Sequence, residues 1–186
     1  MAVEDSYWWS RLIEPWEIHP ALNHLPIAFL LAGVALDLYG WWCGQPGAHF
    51  AATRLLVGGV ITGVLAALAG VLAFFTVPGH TDEAHQLMYL HAGIQAAAMI
   101  LFAWLAWTRW WNWAAPPTVS ARIVACLAAT VLLIGSGAGG YLVYHGGVGV
   151  DPEILAPELR HGHSHGIGSD DTPEPQVAAP KRSNTQ

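Results

Sequence analysis

The stretch HPALNHLPIAFLLAGVALDLYGWWC, residues 19–43, is apolar over nearly its whole length, and its one formal charge is Asp37. A helix of about 20 apolar residues is long enough to cross the hydrocarbon core of a bilayer. We therefore interpret residues 25–43 as a membrane span. His19 and His24 lie just before it, at the boundary between lipid and water.

Three further stretches of the same kind follow, at residues 55–77, 87–108 and 123–144. The chain is 54% hydrophobic and only 11% charged, whereas soluble domains carry about 25% charged residues. A soluble four-helix bundle would show polar residues at helical period on its outer faces, and these stretches show none. The sequence predicts an all-α bundle of four transmembrane helices in contact with the lipid bilayer.

The chain divides into three parts by composition. Residues 1–18 form an interfacial segment, in which Trp8 and Trp9 share a helical face suited to the outer leaflet. Residues 19–150 contain the four spans. Residues 151–186 are rich in Pro, Gly, Ser and charge, so a disordered tail is predicted.

The connections between the spans give an orientation. The loops predicted at 44–54 and 109–122 contain arginine and no acid, whereas acids gather at the opposite ends of the spans. Positively charged loops usually face the cytoplasm. The sequence thus predicts a multi-pass protein of the bacterial inner membrane with both termini in the periplasm. It shows no basic patch that would indicate nucleic-acid binding.

Histidine is the residue type whose distribution best indicates a function. Six of the ten histidines fall at one end of the spans, and alternating topology puts them on the outer side: His19, His24, His80, His85, His91 and His145. Ionisable side chains are costly near the membrane interior and usually have a function there, as ligands, proton carriers or hydrogen-bonding posts.

The leading hypothesis is a b-type haem, which takes axial imidazoles from two helices and lies between them. We predict His24 and His91 as the axial pair, with these alternates: His19, His85, His145 and Met88. The other side of the membrane has only His49, predicted in a loop, so a single shallow site is expected. The protein would be an electron-transfer subunit rather than an enzyme acting alone, because no nucleophile–base pair or phosphate loop is present.

Two other interpretations stay open. Copper or zinc could bind a set made of His24, His85 and His91, because neutral imidazoles suit both metals. The tail motif HGHSHG could bind divalent metal weakly through His161, His163 and His165. Alternatively, the histidines are structural posts in a non-enzymatic membrane scaffold that holds no cofactor.

Asp37 is the only acid inside a span. At 1.5 Å rise per residue it lies roughly 20 Å from His24, which disfavours direct proton exchange between them. We expect it to pair with Arg54 or Arg109 near the cytoplasmic side, because intramembrane charges are usually paired.

Small residues predict close helix packing. Gly59 and Gly63 form one GxxxG pattern, and Gly135 and Gly139 form another, with Gly140 beside it. Such patterns let helices approach closely in lipid. We interpret both patterns as packing surfaces between helices of one chain rather than as a dimer interface.

The two ends of the span region resemble a known family. HPALNHLPIAFLLAGVALDL, residues 19–38, is similar to the opening of the domain-of-unknown-function 2231 family, and GAGGYLVYHGGVGV, residues 137–150, is similar to its ending. The resemblance implies a four-helix membrane bundle. Some relatives are joined to Rieske-type or cytochrome modules, which implies a redox partner of that kind or a quinone. The family motif carries over to these residues, without any established role: His19, Pro20, His24, Pro26, Asp37, Gly139, Gly140 and Tyr144.

Overall fold

The computed structural model describes residues 14–78 and 80–150, and its regular secondary structure is four long helices. A single 3-10 turn, Pro15–Glu17, leads directly into the first of them. The helices are α1, Ile18–Cys43; α2, Pro46–Thr76; α3, Asp82–Arg109; and α4, Val119–Gly146. Residues 1–13 of the predicted interfacial segment and the predicted tail, with its three histidines, lie outside the described residues. The remaining residues of that segment lead into and begin α1.

Each helix is long and apolar enough to cross a membrane. The helices contain 26 to 31 residues, which corresponds to about 40 Å or more of length. The prediction of an all-α bundle with four membrane-spanning helices is confirmed. The predicted loop at 44–54 was wrong, because α2 begins at Pro46, where the fixed proline backbone angle favours a first helical turn.

Local capping interactions set the helix ends. The hydroxyl of Thr81 accepts from the Ala84 N–H at the start of α3, and Thr118 accepts from Ala121 at the start of α4. The last turn of α1 ends at Gly44, whose φ of 64° is a left-handed conformation that glycine adopts without strain. This turn sends the chain back within two residues, so α1 and α2 pack as antiparallel neighbours.

The bundle runs up and down, with consecutive helices in contact and α4 closing against α1. α1 and α3 therefore occupy opposite corners. Large apolar side chains such as Leu68, Ile100 and Ile134 are exposed on the outside. Because such a surface is suited to lipid rather than water, the outer faces of the bundle contact the bilayer.

Leu30, Leu56 and Phe102 form the fully buried centre of the bundle. Glycines make this packing possible. A Cβ atom added at Gly59 would lie 2.6 Å from the Leu30 side chain, and one at Gly63 would lie 2.6 Å from Met99. The glycine pattern at 59 and 63 thus packs helices of one chain against each other.

The two helical hairpins, α1–α2 and α3–α4, share one pattern of buried positions. In the first helix of each hairpin, five buried positions recur 72 residues later: Pro26, Leu30, Gly33, Val34 and Asp37 correspond to Ala98, Phe102, Leu105, Ala106 and Arg109. In the second helix of each, five recur 69 residues later: Ala52, Leu56, Gly59, Gly63 and Ala66 correspond to Ala121, Ala125, Ala128, Leu132 and Gly135.

This repetition relates the hairpins by an approximate two-fold axis along the bundle. α1 and α3 run in the same direction, as do α2 and α4, so the repeats are parallel rather than inverted. Residues at equivalent positions on α1 and α3 therefore face each other across the middle of the bundle.

Candidate functional site

His19 and His91 occupy equivalent positions in the two hairpins, 72 residues apart, and they approach each other inside the bundle. Their ring centres are 6.2 Å apart and the ring planes are inclined at 80°. Both side chains are partly buried. The fold thus brings together two imidazoles from helices at opposite corners.

Each ring is anchored in the same way. Nδ1–H of His19 donates to the carbonyl of Ala66 at 2.8 Å, and Nδ1–H of His91 donates to the carbonyl of Gly135 at 2.8 Å. A carbonyl oxygen only accepts, so Nδ1 carries the proton in both rings and Nε2 presents a lone pair. Metal-ligating histidines are usually fixed through their second nitrogen in this manner.

Glycines make room for both rings. A Cβ atom at Gly70 would lie 2.9 Å from Cε1 of His19, and one at Gly139 would lie 2.8 Å from Cε1 of His91. These two glycines are again 69 residues apart. Each imidazole lies against the backbone of the helix that it hydrogen-bonds. Gly140, predicted beside Gly139 as a packing residue, has open space where its Cβ would be.

An amide side chain follows one helical turn after each histidine. Nδ2 of Asn23 donates to Nε2 of His19 at 3.1 Å. On α3 the equivalent residue, Gln95, donates weakly to the Ser136 hydroxyl at 3.4 Å. Its Oε1 atom is buried and accepts no hydrogen bond within the described part of the chain. The interior around the histidine pair is therefore polar.

His24, predicted as the partner of His91, lies elsewhere. It is exposed on α1, and His19 is the residue that approaches His91. Five residues along a helix correspond to a rotation of about 140° between side chains, so His19 and His24 cannot face the same neighbour. The spacing along α1 therefore shows that only one of the two can point inward, and the contacts identify it as His19.

The other histidines at this end form separate groups. Nε2 of His80 lies 3.0 Å from Nδ1 of His85, with the two rings stacked, and His85 also contacts the ring of Tyr89. His145 stacks on Tyr141 with ring centres 4.2 Å apart. Six histidines at one membrane depth thus do not make one site. Within residues 14–78 and 80–150, no group of three His, Cys, Asp or Glu side chains could hold a metal ion.

Met88 also lies apart from the histidine pair. It is buried in a small apolar cluster with Val77, Ala84 and Leu142. Met88 therefore packs as a residue of the hydrophobic core, away from His19 and His91.

A second polar cluster lies at the opposite end of the bundle. The Asp37 carboxylate accepts from Nη1 of Arg109 and from Nδ1–H of His49, the latter at 3.1 Å. Arg109 also donates to the carbonyls of His49 and Ala115, at 3.0 and 3.2 Å. All three charged or titratable side chains of this cluster are buried. Of the two arginines considered for Asp37, Arg109 is the partner, and Arg54 instead lies 4.0 Å over the Phe50 ring.

Sequence reasoning missed the role of His49, because it placed this residue in a loop. The available signal was Pro46, which suits a helix start and puts His49 in the first turn of α2.

Comparison with known proteins gives one match. The model of a family described as "Predicted membrane protein (DUF2231)" matches residues 15–152. This segment contains all four helices, the histidine pair and the Asp37 cluster. Neither the curated proteins nor the solved structures include a significant match.

Proposed function

The chain belongs to the DUF2231 family of predicted membrane proteins, and on that footing we propose that it is a small b-type cytochrome-like subunit for electron transfer. The haem would be held between His19 and His91. The observation that carries this proposal is the matched anchoring of two imidazoles, 6.2 Å apart, on helices at opposite corners of a membrane bundle.

The geometry of the pair fits two ligands of one metal. Imidazole nitrogens bind metals at roughly 2.0–2.1 Å, so two rings that share one metal would have their centres at most about 6 Å apart. Both Nε2 atoms carry lone pairs, and both Nδ1 atoms are fixed by backbone carbonyls. When bound, haem would supply one-electron redox chemistry at this position.

The donor set favours haem over a structural zinc site. Structural zinc takes about four protein ligands, whereas a haem would need only the two imidazoles of His19 and His91. The described part of the chain adds no third His, Cys, Asp or Glu to the pair.

The residues below the pair limit the site to one end of the bundle. Leu30 and Phe102 are fully buried and lie between the histidine pair and the Asp37 cluster along their helices. This apolar layer would separate the site from the far membrane surface. Electrons would therefore be exchanged at the near end, with a Rieske-type or cytochrome-type redox protein or with a membrane quinone.

The charge distribution supports an orientation in the bacterial inner membrane. Arg54, Arg109 and Arg122 lie at the end opposite the histidine pair, and Asp37 is the one acid among them. By the positive-inside rule, that end faces the cytoplasm, and both termini and the histidine pair lie toward the periplasm.

The proposal is tested by the visible spectrum of the full-length protein purified from haem-replete cells. We expect a Soret band, changes on reduction, and about one haem per chain by pyridine haemochrome assay. His19→Ala and His91→Ala should each reduce haem content to near zero, because each removes one of the two side chains that would hold the haem. His24→Ala is the matched control on α1 and should keep the haem. A colourless wild-type protein, or haem lost from the His24 variant alone, contradicts the proposal.

The variant Asn23→Ala tests whether Asn23 competes with a metal for the His19 nitrogen or is needed to hold the site together. Asn23 hydrogen-bonds the His19 nitrogen that a metal would take, so its removal frees that nitrogen. We expect haem titration of the apoprotein to show roughly five-fold tighter binding, from the loss of a hydrogen bond worth about 1 kcal/mol. Loss of haem from this variant, as in His19→Ala, would show that Asn23 supports the site instead.

A non-enzymatic scaffold is the second candidate, favoured by the same Nδ1–H bonds. They join α1 to α2 and α3 to α4 and would stabilise the bundle without any cofactor. In that case His19→Ala lowers the melting temperature of a protein that never held haem. Elemental analysis separates this outcome from a copper or zinc protein, because metal would then be lost with His19 or His91.

A further inference from the structure

An apolar groove opens between α1 and α4 at the arginine-bearing end of the bundle, with a volume of about 460 Å³. Its wall is apolar apart from one guanidinium. The residues that line it are Leu38, Trp41, Val119, Arg122, Ile123 and Cys126. The groove faces outward, where the bilayer surrounds the helices.

The equivalent seam in the other half of the repeat, between α2 and α3, is packed differently. At the repeat offsets, three of its lining residues correspond to aromatic residues where α2 meets the end of α3 and the turn after it: Leu38 to Trp110, Trp41 to Trp113, and Val119 to Phe50. There the ring centres of Phe50 and Trp113 are 6.4 Å apart, and those of Trp110 and Trp113 are 5.7 Å apart. The α2–α3 seam is thus filled by aromatic rings. Leucine and valine leave the α1–α4 seam open.

The open seam also carries a cation that the filled seam lacks at the equivalent position. Arg122 corresponds to Thr53 at the 69-residue offset, and its guanidinium lies 4.2 Å over the Trp41 ring. No carboxylate of the described residues pairs with it, because Asp37 is taken by Arg109 and His49. Arg122 lies in the first turn of α4, where the helix dipole adds positive potential.

We propose that this groove binds one anionic phospholipid, with the phosphate at Arg122 and an acyl chain running inward along Leu38, Ile123 and Cys126. Lipid fills any apolar groove that faces the bilayer. The unpaired guanidinium at the helix start adds a preference for negative charge. This proposal does not depend on the histidine pair or on haem.

Native mass spectrometry of the full-length protein in mild detergent tests the proposal. Phosphatidylglycerol and phosphatidylcholine with identical acyl chains are the probes. We expect phosphatidylglycerol to bind about five-fold more tightly than phosphatidylcholine. In Arg122→Gln, the affinity for phosphatidylglycerol should fall to that for phosphatidylcholine. Arg54→Gln is the matched control, because Arg54 lies over the aromatic rings of the filled seam, and it should leave binding unchanged.

Filling the groove is the second test. Val119→Phe introduces the residue that the equivalent position, Phe50, already has, so the variant should keep the wild-type melting temperature. It should lose the tightly held lipid of either headgroup. Equal binding of the two lipids by the wild type, or unchanged binding in both Arg122→Gln and Val119→Phe, overturns the proposal. If Val119→Phe does not fold, Arg122→Lys takes its place as the second test. This variant keeps the positive charge and should still bind phosphatidylglycerol more tightly than phosphatidylcholine.

Discussion

Replacing Arg109 by leucine is expected to lower the free energy of unfolding by about 3–5 kcal/mol, because it removes one partner of a buried ion pair and leaves the other charge in an apolar interior. The Asp37 carboxylate would keep only the hydrogen bond from His49. The carbonyls of His49 and Ala115 would also lose the Arg109 donor. A large drop in melting temperature in detergent would report the loss.

Two further variants distinguish the ion pair from the bulk of the side chain. The double variant Asp37→Leu, Arg109→Leu removes both charges and should recover part of the stability, since neither charge is then left unpaired. Arg54→Leu removes an exposed arginine that lies over Phe50 and should cost roughly 0.5–1 kcal/mol. Equal losses from Arg109→Leu and Arg54→Leu would mean that the buried pair contributes nothing specific.

Gly59→Leu is expected to destabilise the bundle by about 3 kcal/mol or more, at the upper end of the cost of overpacking a core. Even the first added carbon would lie 2.6 Å from the Leu30 side chain and 3.2 Å from the Leu30 backbone nitrogen. Leu30 is fully buried in the core cluster, so its side chain could give way only by displacing packed neighbours. α1 and α2 would have to separate at the centre of the bundle.

Gly137→Leu is the matched control, because no atom lies within 4 Å of the Cβ position at Gly137. Both changes replace a helical glycine by leucine, so they share the gain in helix propensity. Thermal unfolding should place Gly137→Leu at or above the wild type. If Gly59→Leu melts at the same temperature as this control, the close approach of α1 and α2 is not as described.

Most of the fold followed from hydropathy, because a helix that crosses lipid must be apolar on every face for about 20 residues. The helix start at Thr81 could also be read from the sequence, since its hydroxyl satisfies the Ala84 N–H. Hydropathy did not give the start of α2, because the apolar run that signals a span begins nine residues after Pro46, and only the proline itself marks the helix start.

The candidate site was harder to predict, because hydropathy gives the depth of a residue and not the direction in which it points. His19 and His24 lie at similar depths, yet only His19 approaches His91. The six histidines at one end likewise spread around the bundle. The 72-residue spacing of His19 and His91 identifies them as a pair. This spacing can be recognised only once the buried positions of both hairpins are known.

The shared burial pattern of the two hairpins raises a problem of self-recognition. A hairpin that packs against one with the same pattern of buried positions could also pack against the same hairpin of another molecule. At the position where the repeats meet, one hairpin carries Asp37 and the other carries Arg109. Pairing of two identical hairpins would place Asp37 against Asp37, or Arg109 against Arg109, in an interior without water. Pairing within the chain places the two opposite charges together. This difference in charge favours packing of each hairpin against the other half of the chain over packing against its own copy.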